Sequence, residues 1–188
     1  QTGSRVADDG VTLLIDYDSV SSFDSVFQQI LSAYNGGAWD GPGITSRFAG
    51  ETLSVAVAEA TELLSDFPAF YAGRMVDASS LIVRLVPAGD SDLNGHVDFA
   101  DLLTLAQNYN RKGVWTDGDS DYDGHVGFSD LVVFAQGMER ASINSNQTRL
   151  LASSFLHDLE LAYAIVPEPS AALLTSVAAL LILRRRDS

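Results

Sequence analysis

The stretch "GDSDLNGHVDFADLLTLAQ" begins at Gly89, and twenty-nine residues later the chain reads "GDSDYDGHVGFSDLVVFAQ" from Gly118, with twelve of the nineteen aligned positions identical. Self-similarity at a fixed period is the mark of a duplicated supersecondary unit, so this region must fold as two like pieces with a shared task. The repeat also concentrates charge. Asp90, Asp92, Asp98, Asp101, Asp117, Asp119, Asp121, Asp123 and Asp130 are nine of the 25 acidic residues in a chain of net charge -14. Carboxylates crowded into a compact fold repel one another, and a cation relieves that repulsion.

The spacing within each copy says which kind of cation. A twelve-residue calcium loop takes oxygen ligands from positions 1, 3 and 5, the backbone carbonyl of 7, often 9 through a water, and a carboxylate at 12. The first copy places Asp90, Asp92, Asn94, His96, Asp98 and Asp101 there, with Gly95 at the sharp turn of position 6. The second places Asp119, Asp121, Asp123, His125 and Asp130, with Gly124 at the turn and Gly127 leaving position 9 to water. His96 and His125 enter through their carbonyl oxygens, which sends both imidazoles outward. Hard oxygen donors without a thiolate select Ca²⁺ over zinc, and Mg²⁺ fits poorly because it sheds its waters reluctantly. Two calcium ions are therefore expected. Val97 and Val126, at position 8, are expected to exchange backbone hydrogen bonds between paired loops.

Behind each loop runs an apolar helical face: Phe99, Leu102, Leu103 and Ala106 in one copy, and Phe128, Leu131, Val132 and Ala135 in the other. These predict two helices packed face to face. No helix is expected to enter either loop, since a strand and Pro87-Ala88-Gly89 precede the first and "NRKGVWTDG" precedes the second.

The flanking segments read as α+β. Residues 11 to 17 form a strand-like run, and Phe23, Val26, Phe27, Ile30, Leu31 and Tyr34 recur at helical spacing until Asn35-Gly36-Gly37 ends the helix. "GGAWDGPGI" is a loop whose Trp39 packs back onto the domain. Residues 52 to 64 fit either a strand with a helical turn or a single helix. "FYAGRMV" and "SLIVRLV" read as two strands around Asp77-Ala78-Ser79. Residues 5 to 87 thus predict a small α+β unit that holds little chemistry, and Glu59 and Glu62 fit a solvated helix face better than an acid/base pair. Residues 144 to 165 predict an amphipathic helix capped by Asn144 or Ser145.

Composition excludes several classes. The absence of cysteine removes disulfides, thiol nucleophiles and thiolate metal sites, and the negative charge argues against nucleic acid. With Gln1 first and no apolar h-region near it, the chain reads as a mature protein or a C-terminal fragment.

A duplicated calcium loop with only an exiting helix and Asp at position 12 resembles a type I-like dockerin domain, over residues 89 to 139. The resemblance implies two bound calcium ions, a pseudo-twofold helix pair and, in cellulosomal members, docking to a cohesin. Family positions 10 and 11 are often small hydroxylated residues, whereas Phe99-Ala100 and Phe128-Ser129 stand here. The implied partner is accordingly a cohesin-like protein or a domain of the same chain.

The chain closes with "VPEPSAALLTSVAALLILRRRDS". Pro167, Glu168 and Pro169 precede an uncharged run from Ala171 to Leu183 and then Arg184, Arg185 and Arg186. As a helix that run spans about 20 Å, short of a hydrocarbon core of roughly 30 Å. Arginines after it would stay on the cytoplasmic side. Residues 166 to 188 resemble a PEP-CTERM sorting signal, which implies recognition by an exosortase in a bacterial membrane and delivery to the cell surface.

The resulting expectation is an α+β chain with a small α+β unit at residues 5–87, a two-helix repeat with paired calcium loops at 89–139, and a C-terminal hydrophobic helix. Its expected role is a non-catalytic, calcium-stabilised portion of an exported protein of the cell envelope or extracellular space, with a membrane segment at its end. The alternative is the accessory end of a secreted polysaccharide-degrading enzyme, docked through the repeat to a cohesin-type partner.

Overall fold

The computed structural model describes residues 4–6, 12–16, 21–138 and 143–166. The sorting-signal residues Pro167, Glu168, Pro169, Arg184, Arg185 and Arg186, and the apolar run between them, lie outside the described residues. Among the described residues no helix is long and apolar enough to cross a membrane.

The chain is mixed α+β. Strands β1 (Ser4–Val6), β2 (Thr12–Asp16), β3 (Leu53–Glu59) and β6 (Ser80–Pro87) form an antiparallel sheet in the order β1-β2-β6-β3. Leu13 pairs with Val83, and Val83 pairs with Val57. Strand neighbours point to opposite faces, so the unbroken buried run Ser80–Val83 means that both faces of central β6 are covered.

Helix α1 (Ser21–Tyr34) supplies cover on one side by burying Val26, Ile30 and Ala33, which share one helical face. The loop after it turns back along the helix, with Gly41 N–H donating to Ala33 O and Ile44 N–H to Gln29 O, both at 3.2 Å. Trp39 in that loop is buried and meets Tyr34 edge to face, as its placement predicts. Residues 52 to 64 resolve into β3 followed by the single turn α2 (Ala60–Leu63). Glu59 and Glu62 form the capping box of that turn, with Glu59 N–H donating to Glu62 Oε2 at 3.1 Å.

The segment read as one strand, "FYAGRMV", is a hairpin. It comprises β4 (Ala69–Tyr71) and β5 (Arg74–Val76), with Ala72 and Gly73 at φ 48° and 75° in the turn. Two consecutive positive φ values give the turn the twist a tight hairpin needs.

In the repeat, α3 (Phe99–Asn108) and α4 (Phe128–Gly137) follow the two loops as expected. The copies meet reciprocally. A Cβ on Gly89 would lie 3.2 Å from Phe134 Cα, and one on Gly118 would lie 3.1 Å from Leu105 Cα. Leu105 and Phe134 are themselves one repeat apart, so each copy begins against the helix of the other.

The position-8 valines do not pair as expected. Val126 belongs to β8 (His125–Val126), which pairs with β7 (Arg111–Lys112) from the linker. Its carbonyl accepts from Asn110 N–H at 2.8 Å. The linker thereby takes the Val126 backbone that the first loop was expected to pair with.

The amphipathic stretch 144–165 breaks in two, α5 (Ser145–Thr148) and α6 (Ser153–Ile165). The Asn144 side chain caps α5 by accepting from Asn146 and Gln147 N–H. Helix α6 buries Phe155, Leu159 and Ala162 in one apolar cluster with Leu102 and Leu105 of α3 and Leu131 and Phe134 of α4. The helix pair is thus a three-helix group. The other cluster, under the sheet, takes in Leu93 and Tyr122 from the repeat and Trp115 from the linker between its copies.

Candidate metal centres

Each loop is wound around its own carboxylates, and the winding repeats. Gly95 N–H donates to Asp90 Oδ2 at 2.7 Å, and Gly124 N–H to Asp119 Oδ2 at 3.0 Å. His96 N–H donates to Asn94 Oδ1 and His125 N–H to Asp123 Oδ1, both at 2.8 Å. The last aspartate reaches back across the loop. Asp101 accepts from Ser91 and Asp98 N–H, each at 2.8 Å, and Asp130 from Ser120 and Gly127 N–H, each at 2.7 Å. This winding requires left-handed backbone at position 6, where Gly95 and Gly124 have φ 97° and 85°.

The result gathers oxygen atoms. One carboxylate oxygen from each of Asp90, Asp92 and Asp101 lies within 4.8 Å of the others, and the same holds for Asp119, Asp121 and Asp123. These two groups are able to hold a metal ion. Asn94 joins the first by donating from Nδ2 to Asp92 Oδ2 at 3.0 Å. Asp130 borders the second through Asp121 N–H, which donates to it at 3.2 Å. Asp98 lies outside the first group, where its exposed carboxylate caps α3 by accepting from Ala100 N–H at 2.7 Å. The imidazoles of His96 and His125 are exposed and belong to neither group.

Burial makes these carboxylates costly to charge. Asp90 is pushed up to about 7, first by loss of solvent and then by the charges of Asp101 and Asp92, despite the bond from Gly95. Asp119 is likewise pushed up to about 7 by burial and by Asp130, and Asp130 to about 6 by burial and by Asp121. Asp101 is raised chiefly by burial. One observation goes further than repulsion: Asp119 is only 1% exposed, and its Oδ1 has no hydrogen-bond partner. A buried acceptor facing other carboxylates and bonded to nothing is an arrangement a cation completes.

The residues between the carboxylates anchor the loops to the sheet. Leu93 and Tyr122, both at position 4, share φ 58° and are both buried in the sheet's core cluster. The Leu93 carbonyl accepts from Arg84 Nη1 at 2.6 Å and from Tyr71 Oη at 3.2 Å. Tyr122 Oη donates to the Val55 carbonyl at 2.5 Å. Trp115, in a 3₁₀ turn of the linker, donates from Nε1 to the Asp90 carbonyl at 2.7 Å and lies 5.2 Å from the Tyr122 ring. Sequence reasoning did not single out Leu93, Trp115 or Tyr122, and read Tyr34 only as part of the apolar face of α1. The available signal was a large apolar side chain inside an otherwise polar loop. Tyr34 stands close enough to the second loop that burial and then Asp121, Asp130, Asp119 and Asp123 push its hydroxyl up to about 12.

Comparison of the chain with family models, with curated proteins and with solved structures finds no match to any of them.

Proposed function

We propose that this chain is a non-catalytic, calcium-stabilised portion of an exported bacterial surface protein, delivered by its C-terminal segment. The observation that carries the reading is a carboxylate group in each copy, Asp90, Asp92 and Asp101 in one and Asp119, Asp121 and Asp123 in the other, with a buried, unpartnered oxygen on Asp119. The grouped donors are all carboxylate oxygens, the chain has no cysteine, and neither exposed imidazole is a member of a group, which favours calcium over zinc. Asp90, Asp92, Asn94, Asp101 and the His96 carbonyl would hold one ion. Asp119, Asp121, Asp123, Asp130 and the His125 carbonyl would hold the other.

Calcium in this reading is a folding ligand. An ion that binds the native loops and not the unfolded chain adds its binding free energy to stability. Millimolar calcium outside the cell suits that role, and the Pro167-Glu168-Pro169 segment, apolar run and arginines of the tail favour the same compartment and an exosortase-type sorting enzyme as partner.

Calorimetric titration of the chain with calcium and with magnesium tests the ion assignment. Two calcium ions bound, with magnesium much weaker, is the expected result, and no heat with calcium would refute it. Intact mass of protein recovered from a bacterial cell surface tests the tail. Loss of the residues after the Pro-Glu-Pro is expected, and an intact C-terminus at Ser188 would contradict processing.

A further inference from the structure

Strand β3 is the last strand of its sheet, so one side of its backbone lacks a neighbouring strand among the described residues. Exposed edge groups are a liability that folds cover with some other element. At Val55 the cover is Tyr122, as Gly50 N–H is at the Leu53 carbonyl and the Glu62 side chain is at Glu59 N–H. The Tyr122 hydroxyl takes the Val55 carbonyl, and its ring sits among Phe27, Tyr34, Trp39 and Trp115, at centroid distances of 5.9, 5.4, 6.4 and 5.2 Å. The residues on either side of Tyr122 are Asp121 and Asp123, two of the three members of the second carboxylate group. Its backbone is also held left-handed at φ 58°, a conformation that a tyrosine keeps only where its surroundings impose it.

We infer that the second loop is an ion-operated clamp on the open edge of the sheet: a cation drawn in by Asp119, Asp121 and Asp123 fixes the backbone of Tyr122, and Tyr122 fixes β3. The inference rests on the calcium reading above and adds a consequence to it. With the ion present, the flanking carboxylates are pulled toward one point and the strained turn between them is over-determined. Without it they repel, and the turn that presents the tyrosine loses its restraint. The sheet would then lose order from β3 inward, while β2, which lies on the far side of β6, would be affected less.

The test is amide hydrogen exchange on the 188-residue chain, in excess calcium and in chelator, beside a calcium titration of the same sample. Chelation is expected to speed exchange in Leu53–Glu59 by about tenfold or more, and in Thr12–Asp16 by clearly less. Tyr122→Ala should leave β3 exchanging fast with or without calcium while ions still bind, because the position-4 side chain is not a ligand. Tyr122→Phe, which loses only the hydroxyl, should fall between, and it carries the test if the alanine variant does not fold. Ions that bind without changing β3 exchange, or that slow β2 and β3 equally, would overturn the clamp and leave the calcium reading intact. Failure to bind any ion would overturn both.

Discussion

Asp90 and Asp119 hold the same place in their loops, one repeat apart, and differ by one hydrogen bond: Asp90 Oδ1 accepts from Asn94 N–H at 3.1 Å, whereas Asp119 Oδ1 is buried and accepts none. The second loop therefore holds the less satisfied carboxylate. It has the more to gain from a cation.

The variant that isolates this difference is Asp119→Asn. It should reduce the calcium stoichiometry from two ions to one in calorimetry. In chelator it should raise the thermal midpoint by about 2–4 °C, corresponding to roughly 1 kcal/mol, because a buried charge without a partner has been removed. Two ions still bound by this variant would argue against Asp119 as a ligand.

The raised carboxylates set a pH dependence with a definite sign. Asp90 and Asp119 are pushed to about 7 and Asp130 to about 6 in the fold, all above their ordinary range. Between about pH 4 and 7 the native state thus binds more protons than the unfolded chain, and stability falls as pH rises through that window. In chelator the thermal midpoint should be higher at pH 5 than at pH 7.5. Calcium affinity should move the other way and weaken on acidification, since protons compete for the same oxygens. A chelated protein that is equally stable at both pH values would contradict this.

Gly89 and Gly118 test the reciprocal contact between the copies. Both hold positive φ, 96° and 106°, and a Cβ on either would press on the backbone of the opposite helix. Gly118→Ala should cost about 1–3 kcal/mol in urea unfolding, through combined strain and overpacking. Alanine tolerated at no cost would mean that the helices can separate freely.

The contribution of α6 is measured by Phe155→Ala. Phe155 is buried and meets the Tyr109 ring edge to face at 5.1 Å. The cavity left behind should cost about 3–5 kcal/mol. Intact calcium stoichiometry with that loss would separate the role of α6 from that of the loops.

What could be read from the letters follows the range over which each interaction acts. The two carboxylate groups were legible because their members are close in sequence and sit in a motif that recurs at the same spacing. Helix α1 was legible from periodicity, and strands β2 and β6 from short apolar runs. The β4–β5 hairpin was not, because its turn uses Ala72-Gly73 and lacks the Asn-Gly or Asp-Gly signal, leaving what looked like one strand. The break between α5 and α6 was hidden by apolar residues that continue in phase across it, although Leu150 turns out to be 68% exposed. Leu93 and Tyr122 are two of the positions at which the copies differ, and the letters do not say what either one meets. Their meaning lies in what they touch, Arg84 and Val55, and those contacts are tertiary.

The shared left-handed turn at Leu93 and Tyr122 sets a limit on how alike the two copies can be. Duplication supplies two identical plugs, but the sheet offers two different sockets: a guanidinium and a phenol meet a carbonyl at one, and an open strand edge meets a hydroxyl at the other. A leucine cannot reach across to cap an edge carbonyl, and the tyrosine ring fills a socket built by four other aromatic side chains. The copies are free to stay the same where they face each other, and are obliged to differ where they face the rest of the chain. A chimera carrying two first copies would keep two carboxylate groups and lose its seat on the sheet.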